Sequence, residues 1–291
     1  MRTDRKKSSG SFCIILGGIL WGCIGLFTRP MYAAGLSVFN AIALRNVGAM
    51  IGLTLIFAIF DRSVFKIKPK HLPIFFGTGI ISILLFTLCY FACQRICSLA
   101  VSGILLYTAP AFVMLMSALL WHEKMDARKL GALALAIIGC VLVSDPLGAG
   151  RISAAGLLLG LGSGFFYATY SIFGRYALKH YSSSTVTLWT FIFAGLGSLF
   201  FANGDVLSVF GSVSLTIDVL GLVLLSTVAP YILYTRGLER TESSRASIMA
   251  SVEPVTAAVI GIAVFSEKMT VFTAAGIICV LLGVFFLAGE K

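Results

Sequence analysis

The sequence predicts an all-α membrane protein: ten transmembrane helices in two five-helix repeats of inverted topology, with both termini cytoplasmic. Three observations predict it. Of 291 residues, 58% are hydrophobic and 12% charged, with a mean hydropathy of +0.99. A soluble domain carries about 25% charged residues, so this chain lacks the polar surface that water requires. Its apolar residues fall into runs of bilayer-crossing length. Finally, one phrase occurs twice: YTAPAFVMLMSALLWHEKM at 107–125 and SVEPVTAAVIGIAVFSEKM at 251–269, offset by 144 residues.

The runs follow in order. A basic head, MRTDRKKSSGS, precedes the first at 12–29. With no small-residue cleavage site and nine further runs behind it, this reads as an uncleaved first helix rather than a signal peptide. The others lie at 37–60, 72–94, 98–121, 127–144, 153–174, 184–202, 215–236, 244–265 and 271–289, with ends placed to ~3 residues. Each is expected to be helical, because a helix satisfies its own backbone groups in lipid.

Loop charges set the orientation. With the amino terminus inside, 17 of the 22 basic residues fall on the cytoplasmic side. Arg29, Arg95, Arg151 and Lys268 fall outside, and Arg45 lies within a span. That is the positive-inside pattern. The net charge of +10 is thus a topology signal, and no basic stretch interleaved with aromatics suggests nucleic acid.

The repeat runs through the chain. At the 144 offset Gly77 meets Gly221, Ser82 meets Ser226, Tyr90 meets Tyr234, Pro110 meets Pro254, Glu123 meets Glu267 and Gly139 meets Gly283. Earlier in each copy the offset is 146, pairing Trp21 with Tyr167, Phe27 with Phe173 and Arg29 with Arg175. The copies divide the chain at 1–147 and 148–291. Five spans is an odd number, so the second copy crosses in the opposite sense, and its loop charges reverse accordingly. Inverted repeats let two halves exchange conformations around a midplane site, with Pro110 and Pro254 as expected hinges.

Two five-span copies, each with a proline-bearing helix, a Glu-Lys-Met turn and a small glycine-bearing helix, resemble the EamA-type drug/metabolite transporters. WGCIGLFTR (21–29), ALRNVGA (43–49), LYTAPAF (106–112) and VEPVTAAVIG (252–261) are similar to that family's signatures. The resemblance implies a ten-helix carrier with a central cavity, exporting or exchanging small metabolites, and peripheral fifth and tenth helices.

Candidate substrate contacts come from residues a bilayer would otherwise exclude. Arg45 and Glu253 place charge inside spans, where it costs at least a few kcal/mol. Their repeat equivalents are Phe191 and Ala109. The pair suits the carboxylate and ammonium ends of an amino-acid-like compound. An internal ion pair for Arg45, and a helix tether for Glu253, are the bland alternatives. Trp21, Tyr90, Tyr107, Tyr167 and Tyr170 could line a cavity, as could Trp189, Tyr231 and Tyr234, since amphipathic rings stack and hydrogen-bond at once. Gln94 shares a helix face with Tyr90, and Tyr231 with Tyr234. Membrane aromatics also simply mark the interface. Glu123 and Glu267, at loop turns beside lysines, read as interfacial anchors.

The stripe Cys89, Cys93 and Cys97 reads as small hydrophobes rather than a soft-metal site, so no metal or cofactor is expected. Gly18/Gly22, Gly48/Gly52 and Gly160/Gly164 fit close helix packing. No GxxxxGK[ST], HExxH or GxSxG occurs, which leaves no P-loop, zincin or hydrolase chemistry and no expectation of an enzyme. The expected function is secondary active transport of a small metabolite, an amino acid or related compound, by export or exchange. A lipid-linked flippase or channel-like permease of the same fold is the alternative. Expected partners are that substrate and the lipid bilayer, with a homodimer left open, and the expected location is the inner or plasma membrane.

Overall fold

The computed structural model describes residues 2–144, 153–202 and 204–288. Among these there is no strand, and the secondary structure is helical throughout. Eight helices are long and apolar enough to cross a membrane: α1 (Ser9–Ala33), α2 (Val38–Phe60), α3 (Pro69–Ile96), α4 (Val101–Trp121), α6 (Ala154–Leu178), α7 (Ser183–Phe201), α8 (Val213–Leu238) and α9 (Ser243–Phe265). Two are shorter, α5 (Ala127–Val143) and α10 (Val271–Leu287). Large apolar side chains stand outward, among them Phe60 at 81%, Phe200 at 88% and Phe285 at 72% exposed. Water would not tolerate such a surface on a monomer, and this is a multi-pass membrane protein.

Helix starts follow from local chemistry. The side chains of Ser37, Asp126, Ser153 and Ser182 accept from backbone N–H groups two or three residues into α2, α5, α6 and α7. Each satisfies a donor that the first turn leaves orphaned. Mid-helix departures are informative too. α3 widens into a π-helix over Gly77–Leu85, and α8 over Leu224–Val228. The Ser82 hydroxyl donates to the Gly77 carbonyl at 2.8 Å, and Thr227 to Leu222 at 2.8 Å. In both helices a hydroxyl thus takes up a carbonyl five residues back.

The fourth and ninth helices are broken. The first ends at Leu106, with Tyr107 and Thr108 in a turn before the helix resumes at Ala109. The other ends at Ala250, with Ser251 in a turn before Val252. Pro110 and Pro254 follow each break. A proline has no N–H to give the carbonyl four residues back, which frees Leu106 and Ala250. Opposite those carbonyls lie glycines. A Cβ on Gly18 of α1 would sit 3.0 Å from the Ala250 oxygen and 2.6 Å from Val252 Cγ1. One on Gly164 of α6 would sit 3.2 Å from the Leu106 oxygen and 2.6 Å from Thr108 Oγ1. Each broken helix is therefore crossed at its break by a glycine face of another. Of the expected glycine pairs, Gly18/Gly22 and Gly160/Gly164 pack in this way, whereas Gly48 meets Val223 and Gly52 faces open space.

Both broken helices also end alike. His122 and Ser266 take left-handed conformations, φ 53° and 55°, and the following Glu123 and Glu267 amides donate back to Ser117 and Gly261. α5 and α10 pack on each other, with Gly139 against the Gly276 carbonyl and Gly276 against that of Gly139.

Long-range bonds sort the ends of the bundle. Lys68 N–H donates to the Tyr181 hydroxyl, Ser183 N–H to Glu239, and Arg240 to Ser9. Glu123 lies at that same end, through its bonds to Ser243 and Ser244. Arg29 and Glu267 pair at the other.

Gly18→Ala and Gly164→Ala should each destabilise the protein by about 1–3 kcal/mol, the cost of overpacking. Gly52→Ala should be neutral or slightly stabilising, because it meets nothing and removes a flexible helical residue. Thermal unfolding of the three variants in detergent checks this.

Candidate functional site

Between the two breaks lies a pocket lined by Trp21, Tyr167, Tyr170, Tyr231 and Tyr234, with Ser82, Ser171, Ser247, Ala109 and Pro110. Five of the aromatic residues singled out in the sequence converge here from three helices, and the hinge Pro110 joins them from a fourth. The Trp21 indole sits 5.0 Å from the Tyr231 ring, 5.3 Å from Tyr234 and 6.5 Å from Tyr167. Tyr170 is edge-on to Tyr231 at 5.2 Å. Such tilted and edge contacts match ring edges to ring faces. Hydroxyls fix the rings: Tyr170 shares a hydrogen bond with Thr235 at 2.7 Å, and Tyr234 with Ser171 at 2.8 Å. The Trp21 N–H is buried without a partner in the protein.

The two intramembrane charges flank this group. Arg45 Nε donates to Thr227 Oγ1 at 3.0 Å, and its guanidinium lies 6.0 Å from the Tyr231 ring centre. The threonine belongs to the π-helical stretch of α8, whose wide turn brings its hydroxyl to Arg45. Phe191, the repeat equivalent of Arg45, packs on the same Tyr231 ring at 4.9 Å. Glu253 stands in the first turn after the α9 break. Its carboxylate interacts with the Tyr167 hydroxyl and feels the charge of Arg45. Among the described residues, however, no ion pair joins Arg45 and Glu253. Tyr90 and Tyr107 lie in the field of Glu253 as well, and Gln94 stands beside Tyr90.

Burial gives the cluster a direction. Trp21, Tyr170, Tyr231 and Tyr234 are buried, whereas Arg45, Tyr90, Tyr107, Tyr167 and Glu253 are half-buried. Tyr32, exposed near the end of α1 and coupled electrostatically to Arg45 and Tyr90, continues the open side. The open side thus faces the end that carries Arg29 and Glu267.

One candidate lies elsewhere. Trp189 packs on Phe75 at 6.0 Å and on Phe193 at 6.4 Å, in a separate cluster with Tyr181. Two residues away, Phe191 joins the site, because the two project from different sides of α7. The thiol stripe is used in packing: Cys93 donates to the Gly156 carbonyl and accepts from the Ser102 hydroxyl. Thr227, Ser171 and Thr235 escaped sequence reading, since a threonine or serine in a span has no signature apart from what it faces.

The EamA-like transporter family matches the chain twice, over residues 8–145 and 154–289. The chain belongs to that family. An uncharacterized transporter of Archaeoglobus fulgidus is 27% identical over 271 residues, covering 93% of this chain and 95% of the relative. A probable amino-acid metabolite efflux pump of Salmonella typhimurium is 24% identical over 247 residues, covering 80% and 83%. Its Escherichia coli namesake is 23% identical over 251 residues, with the same coverage. One crystal structure superposes with a TM-score of 0.81 at 17% identity over 96% of each chain, which shows the fold alone.

Ser171→Ala should cost about 1–3 kcal/mol of stability, because it leaves the Tyr234 hydroxyl buried and unpaired. Adding Tyr234→Phe should recover part of that loss. A double-mutant cycle by thermal unfolding measures the coupling.

Proposed function

We propose that this chain is a secondary active transporter that exports or exchanges a small zwitterionic metabolite of amino-acid type by alternating access. One observation carries the reading: Arg45 and Glu253, from opposite halves, reach one aromatic cluster without pairing directly. Two opposite charges held apart in a membrane interior form an unsettled arrangement. A ligand with a carboxylate for Arg45 and an ammonium for Glu253 would complete both. The buried rings would take its side chain, and the free Trp21 N–H a polar atom within it. The relatives whose names specify amino-acid metabolite efflux support this choice of chemistry.

In this reading the chain crosses the plasma membrane ten times, α5 and α10 included, as inverted repeats 1–147 and 148–291 with both termini inside. The basic 61–71 loop lies at the Glu123 end of the bundle, which is therefore the cytoplasmic end. The site then opens outward. Cysteines introduced at the exposed Lys68 and at Leu207 should be labelled from opposite faces of intact cells, Lys68→Cys only from inside. Labelling from one face would sink the ten-span arrangement.

For the site, Arg45→Gln and Glu253→Gln should each weaken amino-acid binding by about 1.5–3 kcal/mol, the range for hydrogen bonds to charged groups. Trp189→Phe should leave affinity unchanged. Ligand-induced thermal shifts of purified protein, across a panel of amino acids, supply both affinity and stability. A loss of melting temperature with normal affinity would mean that the charges only hold helices together.

A further inference from the structure

The two Glu-Lys-Met turns hold more than interfacial anchors. At the cytoplasmic end Glu123 is 5% exposed and pairs with Arg175 of α6. The same carboxylate accepts from the N–H groups of Ser243 and Ser244 at 3.2 and 3.4 Å, and from the Ser244 hydroxyl at 2.5 Å. It therefore ties the end of α4 to α6 and caps the first turn of α9, across the bundle. Carboxylates are favoured there, where unpaired N–H groups meet the positive end of the helix dipole. The knot gathers the ends of α4, α6 and α9.

The repeat places the same parts at the outer end with roles exchanged. Glu267 is equivalent to Glu123, and Arg29 to Arg175, and they too form a pair, at 2.7 Å. Here the likeness stops, for both side chains are 48% exposed. The positions equivalent to Ser243 and Ser244 are Leu99 and Ala100, which open the helical segment Leu99–Leu106. Glu267 thus holds its arginine while remaining half in solvent, where Glu123 is sunk against a helix start.

We infer that Glu123 and Glu267 are the two latches of one gate, each closing its end by capping the broken helix of the other repeat. In this structure the Glu123 latch is shut on α9 and the Glu267 latch is open. When Glu123 releases Ser243 and Ser244, the outer ends draw together and Glu267 takes the Leu99 and Ala100 N–H groups. Nothing in this requires a particular substrate, although it rests on the alternating-access reading given above.

Amide hydrogen exchange of the purified full chain in lipid nanodiscs, with no ligand added, tests it. In Glu123→Gln, exchange should rise about fivefold or more over 239–251, the low end of allosteric couplings. It should fall by a similar factor over 97–103, at the opposite end. Arg175→Gln should act in the same sense and serves if Glu123→Gln does not fold. In Glu123→Gln/Glu267→Gln the protection of 97–103 should vanish. An increase confined to the mutated end, or protection of 97–103 that survives loss of Glu267, would overturn the inference. Because no ligand is present, failure of the Arg45 and Glu253 variants to change affinity would bear on the substrate site alone.

Discussion

The structure depends on two helices that cannot be continuous. Pro110 and Pro254 remove the donors that Leu106 and Ala250 would otherwise bond, and lipid offers no replacement. The breaks are tolerable only inside the bundle, against glycines that let another helix pass at backbone distance. Gly18 and Gly164 meet that need from the two copies of the same helix. This crossing places the start of each second half-helix at the centre of the molecule. Glu253 occupies one such start, where free N–H groups and the helix dipole favour a carboxylate. A charge that would be expensive elsewhere in the membrane is thereby supported by backbone irregularity.

The same constraint explains why the site is asymmetric within a near-symmetric frame. Ala109 takes the place of Glu253 in the first copy, and Phe191 that of Arg45 in the second. Tyr231 neighbours both Arg45 and Phe191, with the Arg45 guanidinium 6.0 Å from its ring centre and the Phe191 ring at 4.9 Å. Packing alone would be served by two apolar residues there. Retaining one ionisable group from each half gives the region strong local polarity, directed across an aromatic-lined gap. Buried polarity of this kind has a function in membrane proteins more often than it adds stability.

Much of this was legible in the sequence because the relevant signals are local or periodic. Composition, run length and the 144-residue offset require no knowledge of which residues touch. Pro110 and Pro254 stand out as hinges because each lacks a backbone donor and because they match across the repeat. What escaped depends on contacts between distant segments. Thr227 is just another threonine until a π-helical turn aims it at Arg45. Trp189 and Phe191 are both aromatic on α7, and only the helix's facing separates the site residue from the packing residue. Glu123 beside Lys124 looks like an ordinary loop-end acid. Its neighbours along the chain say nothing of Ser243 and Ser244, which are 120 and 121 residues away.

The unequal ends carry a consequence for energetics. In the proposed orientation the cytoplasmic latch at Glu123 has two serines and a second ion pair, Lys129 to Glu242 at 2.5 Å. At the equivalent outer positions stand Leu99, Ala100, Thr273 and Ser98, which offer no matching ion pair. In that orientation these contacts favour the state in which the inner end is shut and the site opens outward. A ligand can shift that balance only by the difference in its affinity for the two states. If the chain exports as proposed, a substrate that binds the inward-facing arrangement more tightly than the outward one would offset that bias. The aromatic cluster provides a means. Trp21, Tyr170, Tyr231 and Tyr234 are buried beneath the half-buried charges in this structure, and in the proposed reading an opened inner latch would also expose them to the cytoplasm. A side chain received by those rings would reward opening in the direction that the unaided latch resists.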